Sequence, residues 1–343
     1  MRYIKGVFYI MASTIKDISR MTGLSLATIS KYLNGGNLLP ENHDSIKKAI
    51  EELDFRVNSF ARGLKTSKSN MIGIVIPMIT NMYATSLIAK IESILRKHNY
   101  ATLVCDCGSD PKIEKENIEF LISKSVDGII NIPISRTGDH LETAKALNIP
   151  VVLIEIKFDK YNFDSVMIND TDISKKATSY LIGCGHKNIG YITGPMDTLI
   201  AQDRYIGYMQ AHTENGLVFQ NRLVVNGEFN AENTYEAVTK FLIGNKDVTA
   251  IFVTEPEMTL GSLLAINDLD IKIPSDLSFI GFDNLRISNI YKPKLTTVSQ
   301  PIDKIAETAT EIMLDRISRK SPPDQIIRKL DATLIYGDSV VVI

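Results

Sequence analysis

The chain has 343 residues, 44% hydrophobic and 23% charged, so it can bury a large core and form roughly two or three domains. This composition excludes a disordered protein, and the sequence lacks the run of about 18 apolar residues that predicts a transmembrane helix. The net charge is −2, but residues 1–70 carry +5 and the remaining residues −7. A basic head on an acidic body favours a head that meets phosphates.

Residues 1–12 loosely imitate a signal peptide, but their apolar stretch is short and a helical pattern begins directly afterwards. We therefore expect an unstructured extension and a cytoplasmic protein. The three cysteines, Cys105, Cys107 and Cys184, are too few for a four-ligand zinc site, and their odd number argues against a disulfide framework. Reduced, mostly buried thiols are expected, with no metal and no cofactor.

Residues 13–57 are predicted to form three short helices. Thr14 and Asp17 supply a capping arrangement for the first helix, which runs to about Met21. Gly23 permits a tight turn, and Ser25 can cap a second helix that ends at about residue 33. A third helix carries one apolar stripe that can close a small bundle: Ile46, Ala49, Ile50 and Leu53.

The second helix has the composition of an element that reads a DNA groove. Its small, hydroxylated first turn lets backbone amides and Ser or Thr hydroxyls approach phosphates. Leu26 and Ala27 can contact a thymine methyl, and Lys31 can donate to guanine acceptors. A generic three-helix cap is the alternative.

From residue 71 onward, short apolar runs alternate with amphipathic helical patterns. The clearest predicted strands cover residues 72–76, 102–105, 128–132, 151–154, 189–193, 250–253 and 277–281. Such alternation indicates parallel sheets covered by helices on both faces, and the number of units favours two doubly wound lobes over one sheet.

Ligands of such folds bind beyond the carboxyl ends of the strands. The polar residues that follow the predicted strands there are Asp106, Glu155, Glu255 and Asp283. A cleft lined by such groups would suit a hydroxyl-rich ligand, although each carboxylate could equally be a helix cap or a loop residue.

The head resembles the DNA-binding domain of the LacI/GalR family, over Thr14 to Asn34 and again over Ala49 to Arg56 and Asn58 to Leu64. Landmarks of the family follow in the same order through the body, so the resemblance covers residues 13–340. These landmarks are Ile74-Val-Ile-Pro77, Val126-Asp-Gly-Ile-Ile130, Gly185-His-Lys-Asn-Ile-Gly190, Arg204-Tyr-Ile-Gly207, Ile280-Gly-Phe-Asp283 and Leu295-Thr-Thr-Val-Ser-Gln-Pro301.

The resemblance implies an α/β protein in three parts. Residues 13–57 would form a helix-turn-helix DNA-binding domain, 58–70 a hinge helix and linker, and 71–343 a two-lobed, periplasmic-binding-protein-like domain with doubly wound parallel sheets that binds an effector and dimerises. It further implies a homodimeric repressor that reads a pseudo-palindromic double-stranded operator. A sugar or sugar derivative bound between the lobes would modulate it, as inducer or corepressor.

The groove-reading pattern, the positions after the strands and the resemblance together give the site residues. The DNA-binding set is Thr14, Ser25, Leu26, Ala27, Thr28, Ser30, Lys31, Asn34, Asn58, Arg62 and Leu64. The ligand-binding set is Tyr83, Asp106, Asn169, Asp170, Arg204, Glu255 and Asp283. The leucine at position 64 would wedge into the minor groove, as apolar kinking residues do, unless the segment is a flexible linker. Arg204 and Asp283 could instead form a structural ion pair.

The chain departs from the family at several of these positions. Lys31 stands where many members have arginine, and Val57 stands where proline is common before the hinge. In the pocket, one ring remains of an aromatic pair, at Tyr83, and Glu255-Pro256 replaces the usual Asn-Asp. The common Asp-Asn pair is reversed as Asn169-Asp170. We therefore expect an unusual operator preference and a ligand pocket that departs further from the family.

Two other functions share parts of this pattern. A periplasmic sugar-binding protein would share the lobes but would need a secretion signal and would lack the head. An enzyme is disfavoured because Gly183-Cys-Gly185 is only a fragment of a nucleotide motif, and neither a P-loop nor a nucleophile elbow is visible. His186 is expected to be structural.

Overall fold

The computed structural model describes residues 2–4, 7–9, 13–33, 35–55, 68–283, 285–318 and 324–343. The chain divides into two compact units, Met1–Ser69 and Asn70–Ile343, here called the head unit and the body. Among the described residues no helix combines the length and the hydropathy needed to cross a bilayer.

The extreme N-terminus contains a short antiparallel pair, β1 (Arg2–Ile4) and β2 (Val7–Tyr9), with residue 4 opposite residue 7. The expectation that residues 1–12 are without structure is therefore wrong for this pair. Its aromatic and β-branched residues are strand formers, and two residues of sequence suffice to join strands in this register.

The described residues 13–55 of the head unit contain three helices, α1 (Ile15–Thr22), α2 (Leu26–Leu33) and α3 (Pro40–Glu52), as the sequence predicts. The Asp17 carboxylate accepts hydrogen bonds from the N–H and the hydroxyl of Thr14, which fixes the start of α1. Gly23 ends this helix with a φ of 70°, a conformation that favours glycine.

The head core is small. Four side chains are fully buried, Ile18, Ile29, Ile46 and Ala49, with Ile50 and Leu53 partly buried against them. The predicted apolar stripe of α3 thus closes the bundle.

The body contains two six-stranded sheets, and all seven predicted strands are present. The first lobe has the strand order β13-β7-β6-β5-β3-β4, all parallel. Its strands are β3 (Met71–Ile76), β4 (Ala101–Asp106), β5 (Gly128–Asn131), β6 (Val151–Ile154), β7 (Asp164–Ile168) and β13 (Ile327–Leu330).

The second lobe has the order β14-β12-β11-β10-β8-β9. Its strands are β8 (Ile189–Thr193), β9 (Val224–Asn226), β10 (Ala250–Val253), β11 (Ser278–Phe282), β12 (Thr296–Ser299) and β14 (Thr333–Ile335). The prediction of parallel sheets needs one correction, because the edge strand β14 runs antiparallel to β12. This strand follows β13 of the first lobe after only two residues, so the chain enters the second sheet directly from the first lobe and without a crossover helix.

Helices cover both faces of each sheet. They are α4 (Met82–Lys97), α5 (Pro111–Ser123), α6 (Glu142–Ala146), α7 (Asp170–Gly183), α8 (Leu199–Glu214), α9 (Ala231–Gly244), α10 (Pro256–Asp268), α11 (Leu285–Ile290) and α12 (Ile302–Ser318). In the first lobe α4 packs on α12, and in the second α7 packs on α8 and α9 on α10. The chain passes between the lobes three times, after β7, after β12 and after β13.

The cysteines are free, and two of the three, Cys107 and Cys184, are buried. Burial raises the pKa of the Cys107 thiol to about 12, so this side chain is an unreactive core residue. The prediction of mostly buried cysteines without a disulfide framework is confirmed.

His186 has a structural role, as the sequence predicts. Its Nδ1 atom lies 2.9 Å from the Thr249 hydroxyl, and its Nε2 atom lies 3.0 Å from the carbonyl oxygen of Val341. The side chain thereby ties the C-terminal segment to the second lobe.

Candidate functional site

One exposed face of α2 gathers the predicted base-contacting residues of the head. Leu26 is 45% exposed, Ala27 is exposed, and Lys31 follows Ala27 after one helical turn on the same face. The Ser25 hydroxyl caps the helix by accepting from the Thr28 N–H at 3.2 Å. The first turn of α2 therefore presents small and hydroxylated side chains outward.

The other predicted DNA-binding residues are placed less uniformly. Thr14 is exposed before α1, while Thr28 and Ser30 are partly buried on α2. The remaining members of the set, Asn34, Asn58, Arg62 and Leu64, lie outside the described residues.

A shallow groove between α2 and the start of α3 extends this surface. It is lined by Ala27, Thr28, Lys31, Asn37, Leu38, Leu39, Pro40 and Asn42. Leu39 is 66% exposed, which is unusual for a leucine beside a helix start, and sequence reasoning missed it. The available signal was a leucine in a polar loop directly before the helix-initiating Pro40.

The body contains a buried ion pair. Arg204 of α8 and Asp170 at the start of α7 both have side chains only 4% exposed, and Arg204 Nε donates to Asp170 Oδ1 at 2.7 Å. Arg204 Nη1 donates to the Thr254 carbonyl at 2.5 Å, and the guanidinium lies 3.9 Å from the centre of the Phe282 ring. The direct partner of Arg204 is therefore Asp170 and not Asp283.

Three further carboxyl groups lie close enough to Arg204 to interact with its charge: Glu155, Glu255 and Asp283. Each follows a strand at its carboxyl end, Glu155 in the first lobe and the other two in the second. Loss of water on burial raises the pKa of Glu155 to about 7, of Glu255 to about 8 and of Asp283 to about 6, although Arg204 opposes each shift.

The backbone holds two of these carboxylates in an unfavourable conformation. Glu155 has a φ of 75° and Asp283 a φ of 56°, in the left-handed region that favours glycine. Such strain persists only where the surrounding structure enforces it, and it is typical of functional sites. The two side chains are thus fixed at the ends of β6 and β11.

Tyr83, the single aromatic ring expected in the pocket, is 7% exposed on α4. Glu155 is the largest electrostatic influence on its hydroxyl after burial, and together they raise its pKa well above the usual range. The hydroxyl forms no hydrogen bond of normal geometry with a described residue.

Two predicted ligand residues serve the protein itself. The Asp106 carboxylate accepts from the Gly108 N–H in its own loop and from the Ile79 N–H in the loop that follows β3. The Asn169 side chain donates to Asp331 at 3.1 Å and accepts from the Ala332 N–H at 2.9 Å. Asn169 therefore ties together two of the three segments that cross between the lobes.

Two polar contacts bridge the lobes near the cluster. Asn81, which caps α4, donates to Glu255, which caps α10, at 3.1 Å. Arg136, after β5, forms an ion pair with Asp197, after β8. The carboxyl ends of the strands in the two lobes thus face each other across a cleft.

Sequence reasoning missed several members of this site. Glu155 was visible as a polar residue after a strand but was not placed in the ligand set, while Thr254, Phe282 and Gln300 were not predicted. Thr254 and Phe282 directly precede Glu255 and Asp283, which was the available signal. In the described ranges no group of three or more His, Cys, Asp or Glu side chains is arranged to hold a metal ion.

Comparisons with known proteins agree with both halves of this arrangement. The family model described as periplasmic binding proteins and sugar binding domain of LacI family matches residues 69–334. The chain is 32% identical to catabolite control protein A of Priestia megaterium, over 93% of this chain and 96% of that protein. It is 31% identical to the HTH-type transcriptional repressor PurR of Pasteurella multocida, over 92% and 98% respectively.

Among solved structures, the lac repressor dimer bound to operator and the anti-inducer ONPF superposes with a TM-score of 0.86. The match covers 96% of this chain and 100% of that chain at 20% sequence identity, so it supports the fold and nothing further.

Proposed function

Because the chain belongs to the LacI family of ligand-binding transcriptional regulators, we propose that it is a homodimeric repressor acting at a pseudo-palindromic operator in the cytoplasm. A carbohydrate-like effector bound between the lobes changes its affinity for that operator. The observation that carries the proposal is the pairing, in one chain, of an exposed groove-reading helix face with a buried charged cluster in a two-lobed body. The named relatives are transcriptional regulators and not enzymes.

The head reads the operator through α2. Its first turn brings the Ser25 and Thr28 hydroxyls and free backbone amides toward phosphates. Leu26 and Ala27 meet thymine methyl groups, and Lys31 donates to guanine. Because the lysine ammonium is a point charge and not a planar fork, this contact discriminates less than an arginine would.

Lys31→Ala should weaken binding to the selected operator by about 1–3 kcal/mol, because a base contact is lost. The matched control is Lys48→Ala, an exposed lysine of α3 that pairs with Glu52 at 3.9 Å. Fluorescence anisotropy with the operator and with a scrambled duplex measures both. Equal losses for the two variants, or an equal loss on scrambled DNA, would show that Lys31 does not read bases.

The body transmits ligand binding by changing the angle between its lobes, which moves the paired hinges and alters operator affinity. The ligand must bind the two lobe arrangements unequally for this to occur. Residues 58–67 of the proposed hinge helix and linker lie outside the described residues. A sugar-like effector is supported by the description of the matched family and by the polar lining of the cleft.

The loop that carries Arg136 is anchored from within the first lobe. The buried carboxylate of Glu114 accepts from the N–H groups of Ile134 and Ser135 at 3.1 and 2.9 Å. The same carboxylate accepts from Asn131 at 3.2 Å. Because the loop is fixed in this way, Arg136 is held ready to pair with Asp197 across the cleft.

Arg136→Ala should favour the open arrangement of the ligand-free chain. The pair is half exposed, so its removal should speed hydrogen exchange of the amides near Asn81 and Met258 by no more than about fivefold. Arg222→Ala is the matched control, because Arg222 pairs with Asp247 within one lobe at similar exposure. Unchanged exchange in Arg136→Ala, or an equal rise in Arg222→Ala, would contradict a role in lobe closure.

A further inference from the structure

The cleft cluster holds more acidic groups than its one guanidinium can balance. Asp170, Glu155, Glu255 and Asp283 all interact with Arg204. Two nitrogen atoms of Arg204 are already engaged, by Asp170 and by the Thr254 carbonyl, and Phe282 covers one face of the guanidinium. Arg204 is therefore poorly placed to hold an acidic ligand.

Hydrogen bonds from the protein satisfy these carboxylates unequally. Asp283 accepts from the Gln300 N–H at 2.7 Å and from Gln300 Nε2 at 2.5 Å. Glu255 accepts from Asn81 and from the Met258 N–H. Besides the charged groups, the Tyr83 hydroxyl interacts with the Glu155 carboxyl.

Two buried polar atoms beside the cluster lack a hydrogen-bond partner of normal geometry among the described residues. Gln300 is 6% exposed, and its Nε2 atom donates to Asp283. Its Oε1 atom has no hydrogen-bond partner among the described residues. The Tyr83 hydroxyl, which interacts with Glu155, likewise forms no hydrogen bond of normal geometry with a described residue. A buried acceptor left in this state is costly, which points to a bound molecule that completes the site.

We propose that the effector is a small organic cation, a hydroxylated or acyclic amine, whose ammonium group lies between Glu155 and Asp283 and donates toward Gln300 Oε1. This rests on the proposed function, since it names the chemical class of the ligand of that cleft. Neutral hydroxyl groups would donate hydrogen bonds to the carboxylates but leave their negative charges uncompensated. An ammonium group donates hydrogen bonds and also compensates the charge. A phosphate or carboxylate would add negative charge to a site already rich in it.

The test compares ligands of one shape and different charge. D-glucosamine, D-glucose and D-glucuronate share a ring and carry an amine, a hydroxyl or a carboxylate, and putrescine and spermidine extend the amines to acyclic chains. Equilibrium dialysis and thermal denaturation of the full chain at millimolar probe concentration give the affinities. We expect at least one amine to bind roughly tenfold or more tightly than its neutral counterpart, with no binding of glucuronate.

Glu155→Gln should lower the affinity of the preferred amine by roughly tenfold or more and leave any binding of the neutral sugar unchanged. Asp247→Asn, which removes an exposed carboxylate of the second lobe paired with Arg222, should change neither. Glu155→Gln should also raise the melting temperature of the ligand-free chain at about pH 8, because it removes a buried uncompensated charge. If Glu155 instead stabilises the fold, Glu155→Gln should lower that melting temperature.

Binding of neutral sugars without preference for amines, binding of glucuronate, or no amine bound at millimolar concentration would each overturn the inference. A lower melting temperature of Glu155→Gln would do so as well. These outcomes leave the proposed function intact provided that the chain still selects an operator, since operator selection requires none of these probes.

Discussion

Replacement of Arg204 by alanine is expected to destabilise the body by about 3–5 kcal/mol at neutral pH and to abolish the ligand response. The change leaves Asp170 buried without its guanidinium partner and removes the group around which the other carboxylates are arranged. Arg222→Ala, which breaks an exposed pair, should cost no more than about 1 kcal/mol. Urea denaturation measures the free energy of unfolding for each variant.

The effect of Arg204→Ala should depend on pH in a defined direction. Burial already raises the pKa of Asp170, and loss of the guanidinium raises it further, because both interactions of Arg204 with Asp170 lower that pKa. A carboxyl whose pKa is raised in the folded state costs stability above that pKa and nothing below its unfolded value. The destabilisation should therefore shrink as the pH falls toward about 4, where the carboxyl group is protonated in both the folded and the unfolded state.

A variant that unfolds at the same urea concentration as the parent chain and still responds to its ligand would contradict the assignment of Arg204. Arg204→Lys separates charge from geometry. It should retain part of the stability, because the ammonium still faces Asp170, but it cannot reproduce the two directed bonds to Asp170 and Thr254.

Ile46→Ala should unfold the head domain and abolish operator binding. The side chain is fully buried in a core that has three other fully buried side chains among the described residues, and such a substitution costs about 2–5 kcal/mol. A domain this small has little stability to lose. Limited proteolysis should cut first within residues 13–55, and the body should denature as it does in the parent chain.

Met21→Ala provides the control, because Met21 is 47% exposed on α1 and contributes little to the core. This variant should bind the operator normally. Retention of operator affinity by Ile46→Ala, or an equal loss in Met21→Ala, would mean that the packed three-helix head is not what binds DNA.

Much of the fold follows from local pattern. The stripe of α3 predicts the head core because residues three and four apart share a helix face, and the seven predicted strands are continuous apolar runs that parallel sheets bury on both sides. The missed strands lack this signal. Strand β7 begins with Asp164, which is buried only because Arg316 pairs with it at 2.6 Å, and β13 is an exposed edge strand containing Arg328 and Lys329.

The sequence predicts that the site is rich in carboxylates, but it does not predict which carboxylate pairs with Arg204. Spacing places carboxylates after strands, and the resemblance adds Arg204, yet neither reveals that Asp170 lies on a different helix directly against it. Positive φ values at Glu155 and Asp283 also have no signature in residue type. For Asn169 the sequence predicted a ligand contact that the structure does not show. Its side chain instead joins two of the segments that cross between the lobes.

The most direct test of a ligand-responsive operator-binding protein is to sequence genomic fragments selected by the purified chain at about physiological salt, where weak nonspecific binding fades. The same selection is run with Lys31→Ala and with each amine and sugar probe. We expect a short pseudo-palindromic motif that is lost or altered with Lys31→Ala and whose recovery changes with one class of probe. Recovery of no enriched motif under any of these conditions would contradict the account.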